Sequence, residues 1–575
     1  MTTSLAAKAG ARSARASFSA RTRSTAFTRT VAVLASVAAV TAMASCAKSE
    51  RDTGTTTTTG DTTFTFAASS DPATFDPAMA SDGESFRPAR QIFEGLVASK
   101  PGTTEVEPSL ATKWDISSDG KSTTFTLREG VKFSDGTAFD GKAVCANFDR
   151  WYKWTGVNQS ADITYYYGAL FRGFKTGKTG GIYDNCTAPD ATTAVIKLKK
   201  PFASFVQAMT LPSFSMQSPT ALEKYNADNT TGTTDSPRFS EYATAHPTGT
   251  GPYVFEKWDR GQQIVLKANP DYWGEKAKTQ TVIIRTISDP KARTQELEAG
   301  NIDGYDLVGP ADIQPLKDAG FSIVNRPAFN ILYLGMNQKN KALADIRVRQ
   351  AITYAIDRTA VVKSSLPEGS VPAIEFVPPT VAGYNDKVNA YPYDPEKAKA
   401  LLAEAGQSNL TLKFAYPTGV SRPYMPAPED TFAVIKSQLE KVGIKITPVA
   451  AKWNPDYLQL IQGDAGADKH DIHLLGWTGD YNDPDNFIGV FFGQKQAEWG
   501  FDNEQLFKDL DSARQLSTRE EQTAAYEKIN AEIADFVPGV PLSHPAPSLA
   551  FSKDVQGFQP SPTQDEVWNN ITVSK

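Results

Sequence analysis

The run PSLATKWDISSDGKSTTFTLREGVKFSDGTAF, residues 108–139, decides the fold of the region around it. Alternating apolar and polar residues, as at 123–127, are separated by turns at Asp119-Gly120 and Asp135-Gly136. Asp-Gly turns between alternating stretches are typical of β-hairpins. The sequence therefore predicts a hairpin-rich unit here.

Further along the chain, strand-like and helix-like segments alternate. Apolar periodicity predicts a helix over residues 346–362 and another over 432–442, and residues 412–415 predict a strand between them. This alternation is typical of an α/β lobe. With 575 residues, the chain exceeds the about 250–300 residues at which a single core stops growing, so two or three domains are expected.

The amino terminus has the pattern of an export signal. Six Lys and Arg residues and no acid precede residue 31, and residues 31–45 form an apolar run that ends in small residues. This pattern predicts a signal peptide over residues 1–45. The run is shorter than the about 20 residues of a membrane-spanning helix.

Cys46 follows Met43-Ala44-Ser45, which resembles the lipobox of bacterial lipoproteins, with Met where Leu is usual. The resemblance implies acylation of Cys46, whereas a cleavage site that happens to precede a cysteine is the alternative. Residues 46–63 are polar and Thr-rich, and they predict a flexible tether. The expected location is outside the cytoplasm, on the bacterial cell membrane.

Charge and cysteine content limit the function classes. Without the leader, 53 Lys plus Arg face 65 Asp plus Glu, a net charge of −12, which argues against nucleic acid as a partner. Cys145 and Cys186 are the other two cysteines, and an even pair in an exported chain predicts a disulfide. Two separate buried thiols are the alternative.

Residues 476–486, GWTGDYNDPDN, follow the short apolar strand predicted at 472–475 and are rich in turn residues. Gly476 allows close approach of a ligand, Trp477 offers an apolar wall, and Asp480 offers a carboxylate for a cation. The alternative is a surface loop whose acids cap turns. Asp483 and Asp485 are interpreted as such turn and capping residues.

Several motifs resemble the solute-binding proteins that serve ABC importers of peptides and nickel. They are FDP at 75–77, IFEGLV at 92–97, the run at 108–139 and GTGPYVFEKW at 249–258. Two further motifs, VSRPYMP at 420–426 and GWTGDYNDPDNF at 476–487, resemble the dipeptide-binding subgroup. The resemblance covers almost the whole chain after about residue 63.

The resemblance implies an α/β, two-lobed periplasmic-binding-protein-like fold of the type with a hinge and an extra subdomain, called cluster C. Residues 64–96, 201–286 and 540–575 are expected to form lobe I, residues 97–200 subdomain II, and residues 287–539 lobe III. A monomer is expected. The ligand is expected between the lobes, which close around it.

By the same resemblance, Arg422 holds the carboxylate of a di- or short peptide and Asp480 holds its ammonium group. Both charges of a zwitterion lose hydration in a cleft, so each needs a fixed opposite charge. Arg suits the carboxylate because its guanidinium donates two parallel N–H bonds. The remaining expected ligand-binding residues are Gly476, Trp477, Thr478, Tyr424 and Gly83. A structural salt bridge is the alternative role for Arg422.

The expected partners are a peptide and the subunits of an ABC permease. A nickel chelate, haem or an oligosaccharide remains an alternative ligand, and an exported hydrolase is the alternative class. No HExxH or GxSxG motif occurs, and no catalytic residue, metal or cofactor is predicted. His470 and His473 are interpreted as non-chelating, because residues three apart in a strand point to opposite faces.

Overall fold

The computed structural model describes residues 62–177, 180–234, 236–463, 466 and 468–574. Its first sheet contains seven strands in the order β10-β11-β12-β1-β13-β21-β14. These strands are β1 Thr63–Ala68, β10 Tyr253–Asp259, β11 Gln263–Ala268, β12 Thr281–Thr286, β13 Gly304–Asp306, β14 Ser322–Asn325 and β21 Ser548–Phe551. This sheet defines lobe I below.

The alternation of β1 shows why lobe I forms around it. Phe64 and Phe66 are fully buried on one face of the strand, as its period of two requires. The strand pairs in parallel with β12 on one side and with β13 on the other. Trp568, from the carboxyl-terminal segment, packs edge-to-face on Phe64 and at a tilt on Phe66, so β1 and the carboxyl-terminal segment share one core.

Subdomain II contains the hairpin-rich region. Its sheet has the order β4-β5-β7-β6 and consists of β4 Ala111–Ile116, β5 Ser122–Leu127, β6 Tyr183–Asp190 and β7 Thr193–Leu198. The predicted turn between β4 and β5 has Gly120 at φ +66°, a conformation that favours glycine. Cys145 and Cys186 form a disulfide, with 5.1 Å between their Cα atoms.

Glu94, in the motif at 92–97, bonds to the motif at 249–258 and to the segment that follows it. Its carboxylate accepts hydrogen bonds from Thr250 (2.6 Å), Tyr272 (2.7 Å) and Trp273 (2.7 Å). Burial raises the pKa of Glu94, which shows that these bonds only partly offset the lost hydration. The FEG motif therefore has a structural role.

Lobe III is built on a six-stranded sheet in the order β16-β20-β15-β19-β17-β18. Its strands are β15 Asn330–Met336, β16 Val371–Pro372, β17 Thr411–Thr418, β18 Lys445–Lys452, β19 Ile472–Thr478 and β20 Gly539–His544. Every residue of β15 is buried, with Leu332 and Leu334 in the core on one face and Ile331 and Tyr333 in the core on the other. A strand buried on both faces is typical of the centre of an α/β layer.

Helices cover the sheets, and short strand pairs lie at the margins. The pairs are β2 Val97–Ser99 with β3 Val106–Pro108, β8 Thr231–Thr233 with β9 Ser236–Arg238, and β22 Val555–Gln556 with β23 Thr572–Val573. The α-helices are α1 Gly83–Ile92, α2 Gly141–Lys153, α3 Ala161–Phe171, α4 Phe205–Ala208, α5 Pro219–Lys224, α6 Glu241–Ala245, α7 Pro290–Glu298, α8 Pro310–Asp318, α9 Lys341–Ala344, α10 Ile346–Ala355, α11 Arg358–Ser365, α12 Pro395–Glu404, α13 Pro428–Lys441, α14 Leu458–Gln462, α15 Ile488–Phe492, α16 Glu504–Arg514 and α17 Arg519–Phe536.

The helix predicted over residues 346–362 is instead two helices, α10 and α11. Ile356 has extended backbone angles, and the Asp357 side chain accepts a hydrogen bond from the backbone N–H of Ala360. Asp at such a position favours a new helix start over continuation. The apolar periodicity did not detect this cap.

Sheet membership departs from the expected lobe boundaries in three places. Strands β13 and β14 pair within the first sheet, although the expected boundary at residue 287 assigned them to lobe III. Strand β20 pairs with β15, although the expected boundary at 540 assigned it to lobe I. Thr63, assigned to the tether, already begins β1. The physical reason is that strands join whichever sheet satisfies their backbone groups, and local patterns do not record the partner.

The chain passes between the two sheets twice, at residues 326–329 and 545–547. The crossings are bonded to each other, because Arg326 N donates to Pro547 O (2.9 Å) and Asn330 Nδ2 donates to Pro545 O (3.1 Å). The Arg326 side chain forms ion pairs with Glu566 (2.5 Å) and Asp306 (2.7 Å), both buried. These contacts fix the lobe I end of the crossings.

The predicted signal peptide, the lipidation site at Cys46 and the tether up to residue 61 lie outside the described residues. Within the part of the chain that the structure describes, no helix has both the length and the apolarity to cross a membrane.

Candidate ligand-binding site

The two motifs of the proposed ligand site meet at one edge of the lobe III sheet. Strands β17 and β19 are parallel neighbours, with Phe414 opposite Ile472 and Ala415 opposite His473. Parallel neighbours end at the same edge, which is where open α/β sheets bind ligands. Arg422 follows the end of β17 by four residues and Asp480 follows the end of β19 by two.

The residues Gly476, Trp477 and Thr478 belong to strand β19, not to a loop as expected. They pair with Leu332, Ile331 and Asn330 of β15. The glycine and threonine suggested a turn, but the ladder to β15 satisfies their backbone groups and extends the strand. The loop itself begins at Gly479.

Strands β17 and β19 separate towards their carboxyl ends. Tyr457 is buried there, with its hydroxyl within hydrogen-bond distance of the carbonyl oxygens of Ala415 and Leu474. Beyond His473, the described residues provide no ladder partner on this side of β19. Among the described residues, the backbone of Gly476 to Thr478 therefore has a strand partner on the β15 side alone.

Tyr424 packs directly on Gly476, on the face of the sheet to which a side chain at this position would point. A Cβ atom at position 476 would lie 2.4 Å from Tyr424 Cδ2 and 2.3 Å from Ile331 O. Both distances are far below van der Waals contact, so the site requires glycine here. The close approach holds the segment that carries Arg422 against the strand that leads to Asp480.

Arg422 is oriented by stacking and by its backbone. Its guanidinium carbon lies 4.8 Å from the centre of the Trp453 ring, and its backbone exchanges hydrogen bonds with Met425 (3.1 and 2.9 Å). Arg422 Nε, the Ser421 hydroxyl and Trp477 Nε1 are buried and have no hydrogen-bond partner among the described residues. Unpartnered buried donors of this kind favour an acceptor such as a carboxylate.

Asp480 is held by residues on both sides. Its backbone N–H donates to Asn486 Oδ1 (2.8 Å), and Asn486 Nδ2 donates to Asp480 Oδ2 (3.1 Å). The Tyr166 side chain also hydrogen-bonds to the Asp480 carboxylate. Burial raises the pKa of Asp480 to about 6, although these bonds and the charge of Arg90 oppose the shift.

Residues from outside lobe III complete this end of the site. The Tyr166 ring on α3 lies 5.9 Å from the Phe86 ring on α1, and the guanidinium of Arg90 lies 5.5 Å from the same Phe86 ring. Arg90 pairs with Asp565 at 3.3 Å. Phe86 therefore contacts both of the groups outside lobe III that act on Asp480.

Gly83 is the first residue of α1, and a Cβ atom there would lie 3.2 Å from Gln564. Arg90 is seven residues further along α1, so the two share a face of the helix about 10 Å apart along its axis. The described contacts do not link Gly83 to Arg422 or Asp480, and its place in the site stays a prediction.

Sequence reasoning did not identify Tyr166, Arg90, Trp453 or Asn486. Tyr166 lies in the run Tyr165-Tyr166-Tyr167, whose density of aromatics was the one available signal. Asn486 lies within the quoted motif at 476–487 but was not singled out there. Arg90 and Trp453 have no local pattern that marks them, because other segments of the chain bring them to the site.

The geometric reason for interpreting His470 and His473 as non-chelating was wrong. His470 precedes β19, and the two ring centres are 5.2 Å apart. His473 Nε2 lies 3.1 Å from Glu498 Oε1. Among the described residues, no group of three or more His, Cys, Asp or Glu side chains is arranged to hold a metal ion.

Comparison with known proteins places this chain in a family. The family model described as bacterial extracellular solute-binding proteins, family 5 Middle, matches residues 105–499. A dipeptide-binding protein of Escherichia coli is 30% identical over 89% of this chain and 94% of its own length. Haem-binding protein A of Haemophilus influenzae is 29% identical over 89% and 92%.

Solved structures show the same fold. A periplasmic binding protein associated with an ABC transporter of Helicobacter pylori, in complex with the peptide STSA, is 27% identical, covers 89% of this chain and 98% of its own, and has a TM-score of 0.72. A dipeptide-binding protein of Pseudoalteromonas in complex with Met-Leu covers 89% and 100% at 24% identity, with a TM-score of 0.73. The expected two-lobed α/β fold and the expected family are thereby confirmed. The chain belongs to family 5 of the bacterial extracellular solute-binding proteins.

Proposed function

We propose that this protein captures a dipeptide or short peptide between its lobes and delivers it to an ABC importer. Arg422 binds the peptide carboxylate and Asp480 binds the peptide ammonium group. The observation that carries the proposal is their meeting at one sheet edge, with unpartnered buried donors at the Arg422 end and an acidic acceptor at the other.

The residues between the two charges suit a peptide backbone. Gly476 to Thr478 offer backbone groups on the open side of β19, and Trp477 and Tyr424 supply apolar surface. Two charged anchors at a fixed separation also limit peptide length, because a longer peptide places its carboxylate beyond Arg422. Side-chain tolerance follows if water fills the remaining space.

Titration calorimetry tests this function. We expect dipeptides to bind, and C-terminally amidated or N-acetylated dipeptides to lose most of the affinity because one anchor is left unpaired. Tripeptides measure the length limit. Haem, a nickel–histidine chelate and an oligosaccharide are tested in parallel, and binding of one of these with no binding of peptides would reject the peptide proposal.

The proposal includes no chemistry on the ligand. Peptides recovered after incubation with the protein are expected to be intact by mass spectrometry. Hydrolysis products that increase with protein concentration would contradict a purely binding function and support the exported hydrolase.

We further propose that the protein is exported, acylated at Cys46 and tethered to the outer face of the cell membrane as a monomer. The support is the sequence pattern of residues 1–63. Metabolic labelling with a fatty acid is expected to mark the wild type and not Cys46→Ser. Light scattering on the protein without its leader measures the oligomeric state.

A further inference from the structure

A buried polar cluster joins subdomain II to lobe III. It includes Asp483, three residues after Asp480 in the chain. The Ser204 hydroxyl hydrogen-bonds to Asp483 Oδ2 and lies 2.9 Å from Gln522 Oε1. Arg519 donates to the same Asp483 oxygen at 2.8 Å and to Gln522 Oε1 at 2.6 Å. Ser204, Asp483 and Gln522 are each at most 1% exposed, whereas the Arg519 side chain reaches the surface.

Ser204 is the one member of the cluster from its side, and Asp483, Arg519 and Gln522 come from lobe III. Ser204 directly precedes α4, and its neighbours Phe202 and Phe205 belong to the core of subdomain II, although the expected boundary at residue 200 assigned them to lobe I. Asp483 lies in the loop after β19, and its Oδ1 accepts the backbone N–H of Asp485 (2.7 Å). One carboxylate oxygen thus fixes the loop, while the other bonds to the opposite side.

Two further contacts next to this cluster also join subdomain II to lobe III. Tyr481 is 2% exposed and belongs to the core of subdomain II, although its chain segment comes from lobe III. Asn482 Nδ2 donates to Thr104 Oγ1 at 2.8 Å. Opening of the lobes would expose Tyr481 and separate Ser204 from Asp483, and both changes cost free energy.

We propose that Ser204 and Asp483 form a latch between subdomain II and lobe III that positions Asp480 in the closed state. The link to ligand rests on the proposed function, whereas the latch itself is argued from the contacts of Ser204 and Asp483. Because the loop carrying Asp480 also carries the latch, a ligand bound to Asp480 stabilises closure, and closure by the same coupling free energy strengthens binding.

The test replaces only the hydroxyl that crosses between the halves. In Ser204→Ala, spin-label distances between subdomain II and lobe III are expected to lengthen in the ligand-free protein. Ser213→Ala is the matched control, because Ser213 is a buried serine of the same core that donates to Ala80 O (3.3 Å) within its own side. Its distances are expected to equal those of the wild type.

Ligand binding gives the second measurement. Ser204→Ala is expected to bind a dipeptide about 5- to 30-fold more weakly than the wild type, mainly through faster dissociation, as for a lost hydrogen bond to a charged group. The double variant with Ser204→Ala and Asp483→Asn is expected to lose less binding free energy than the sum of the losses in the two single variants. Ser204→Cys keeps the volume with a weaker donor and is expected to be intermediate.

The two measurements separate the two proposals. If the wild type binds no peptide, the proposed function fails, and the ligand-free distances still decide the latch. Wild-type distances in both Ser204→Ala and Ser204→Cys would overturn the latch, as would equal lengthening in Ser213→Ala. If Ser204→Ala does not fold, as judged by circular dichroism, Ser204→Cys alone decides.

Discussion

The Asp480 end of the proposed site is built by both halves of the molecule, whereas the described contacts of the Arg422 end come from lobe III alone. Asp480 meets Asn486 from its own loop and Tyr166 and Arg90 from across the cleft. Arg422 rests on Trp453 and keeps a buried Nε without a protein acceptor. The acid is thus already bonded, and the cation still offers a donor.

This difference assigns different tasks to the two ends. If the lobes move, the Asp480 end changes its surroundings, because two of its three partners, Tyr166 and Arg90, belong to the other side. The described contacts of Arg422 stay within lobe III and are expected to persist in such a motion. On the proposed function, we therefore expect ligand capture to begin at Arg422 and to be completed at Asp480.

Removal of the charge at either end of the site is expected to have the largest effect on ligand affinity. Arg422→Ala and Asp480→Ala are each expected to lose about 2–5 kcal/mol of dipeptide affinity, because the opposite ligand charge is left buried and unpaired. The loss is measured by calorimetry, with the free energy of unfolding measured alongside to show that each variant is folded.

Modified ligands provide the matched controls. For Arg422→Ala, amidation of the dipeptide is expected to lower the affinity little further, because the proposed partner of the carboxylate is already absent. For Asp480→Ala, N-acetylation is expected to lower it little further, because the proposed partner of the ammonium group is already absent. If amidation of the dipeptide lowers the affinity of the two variants by the same factor, the assignment of Arg422 to the carboxylate is wrong.

Gly476→Ala tests whether the two ends are mechanically joined. The added methyl group meets Tyr424 and Ile331, so the free energy of unfolding is expected to fall by about 1–3 kcal/mol, as for overpacking. Peptide affinity falls as well, because Tyr424 moves with Arg422. Chemical denaturation and calorimetry measure the two effects.

Gly168→Ala is the matched control for this substitution. Gly168 lies within α3, where a Cβ atom would be 3.9 Å from Phe174, an ordinary contact. Its free energy of unfolding is expected to stay level or to rise, since Ala favours helix over Gly. Equal destabilisation by both substitutions would remove the special role of the Gly476–Tyr424 contact.

The sequence predicts the two charged residues of the proposed site better than it predicts the residues that contact Asp480 from outside lobe III. Arg422 and Asp480 lie within motifs of consecutive residues, so both were identified before the structure. Tyr166 and Arg90 lie more than 300 positions from Asp480 along the chain, and no local pattern records their approach. For the same reason, the hairpins of subdomain II were predicted, whereas the sheet membership of β13, β14 and β20 was not.

A pH series tests whether Asp480 must be ionised. Its pKa is raised to about 6, chiefly by burial, and only the carboxylate form pairs with an ammonium group. Affinity is therefore expected to fall about tenfold between pH 7 and pH 5, as protons compete for Asp480, and to fall again above about pH 8, where the α-amino group of the peptide loses its proton. Calorimetry in one buffer system of fixed ionic strength measures it.

Two variants separate this titration from that of Asp483, whose pKa burial also raises to about 6. Asp483→Asn is expected to keep the pH dependence, and Asp480→Asn is expected to bind weakly with no change between pH 5 and pH 7. A pH-independent affinity of the wild type would show that the ammonium group binds elsewhere.

Tyr166→Phe has the smallest expected effect and is the most direct test of the contribution from across the cleft. Loss of one hydrogen bond is expected to cost about 0.5–1.5 kcal/mol of peptide affinity. Because the Tyr166 bond lowers the pKa of Asp480, its removal raises that pKa, and the midpoint of the pH series shifts to higher pH. Tyr167→Phe is the matched control on the same helix, since its buried hydroxyl has no partner among the described residues. A pH midpoint that moves equally in both variants, or in neither, would mean that Asp480 is held by lobe III alone and that the two ends of the site do not differ.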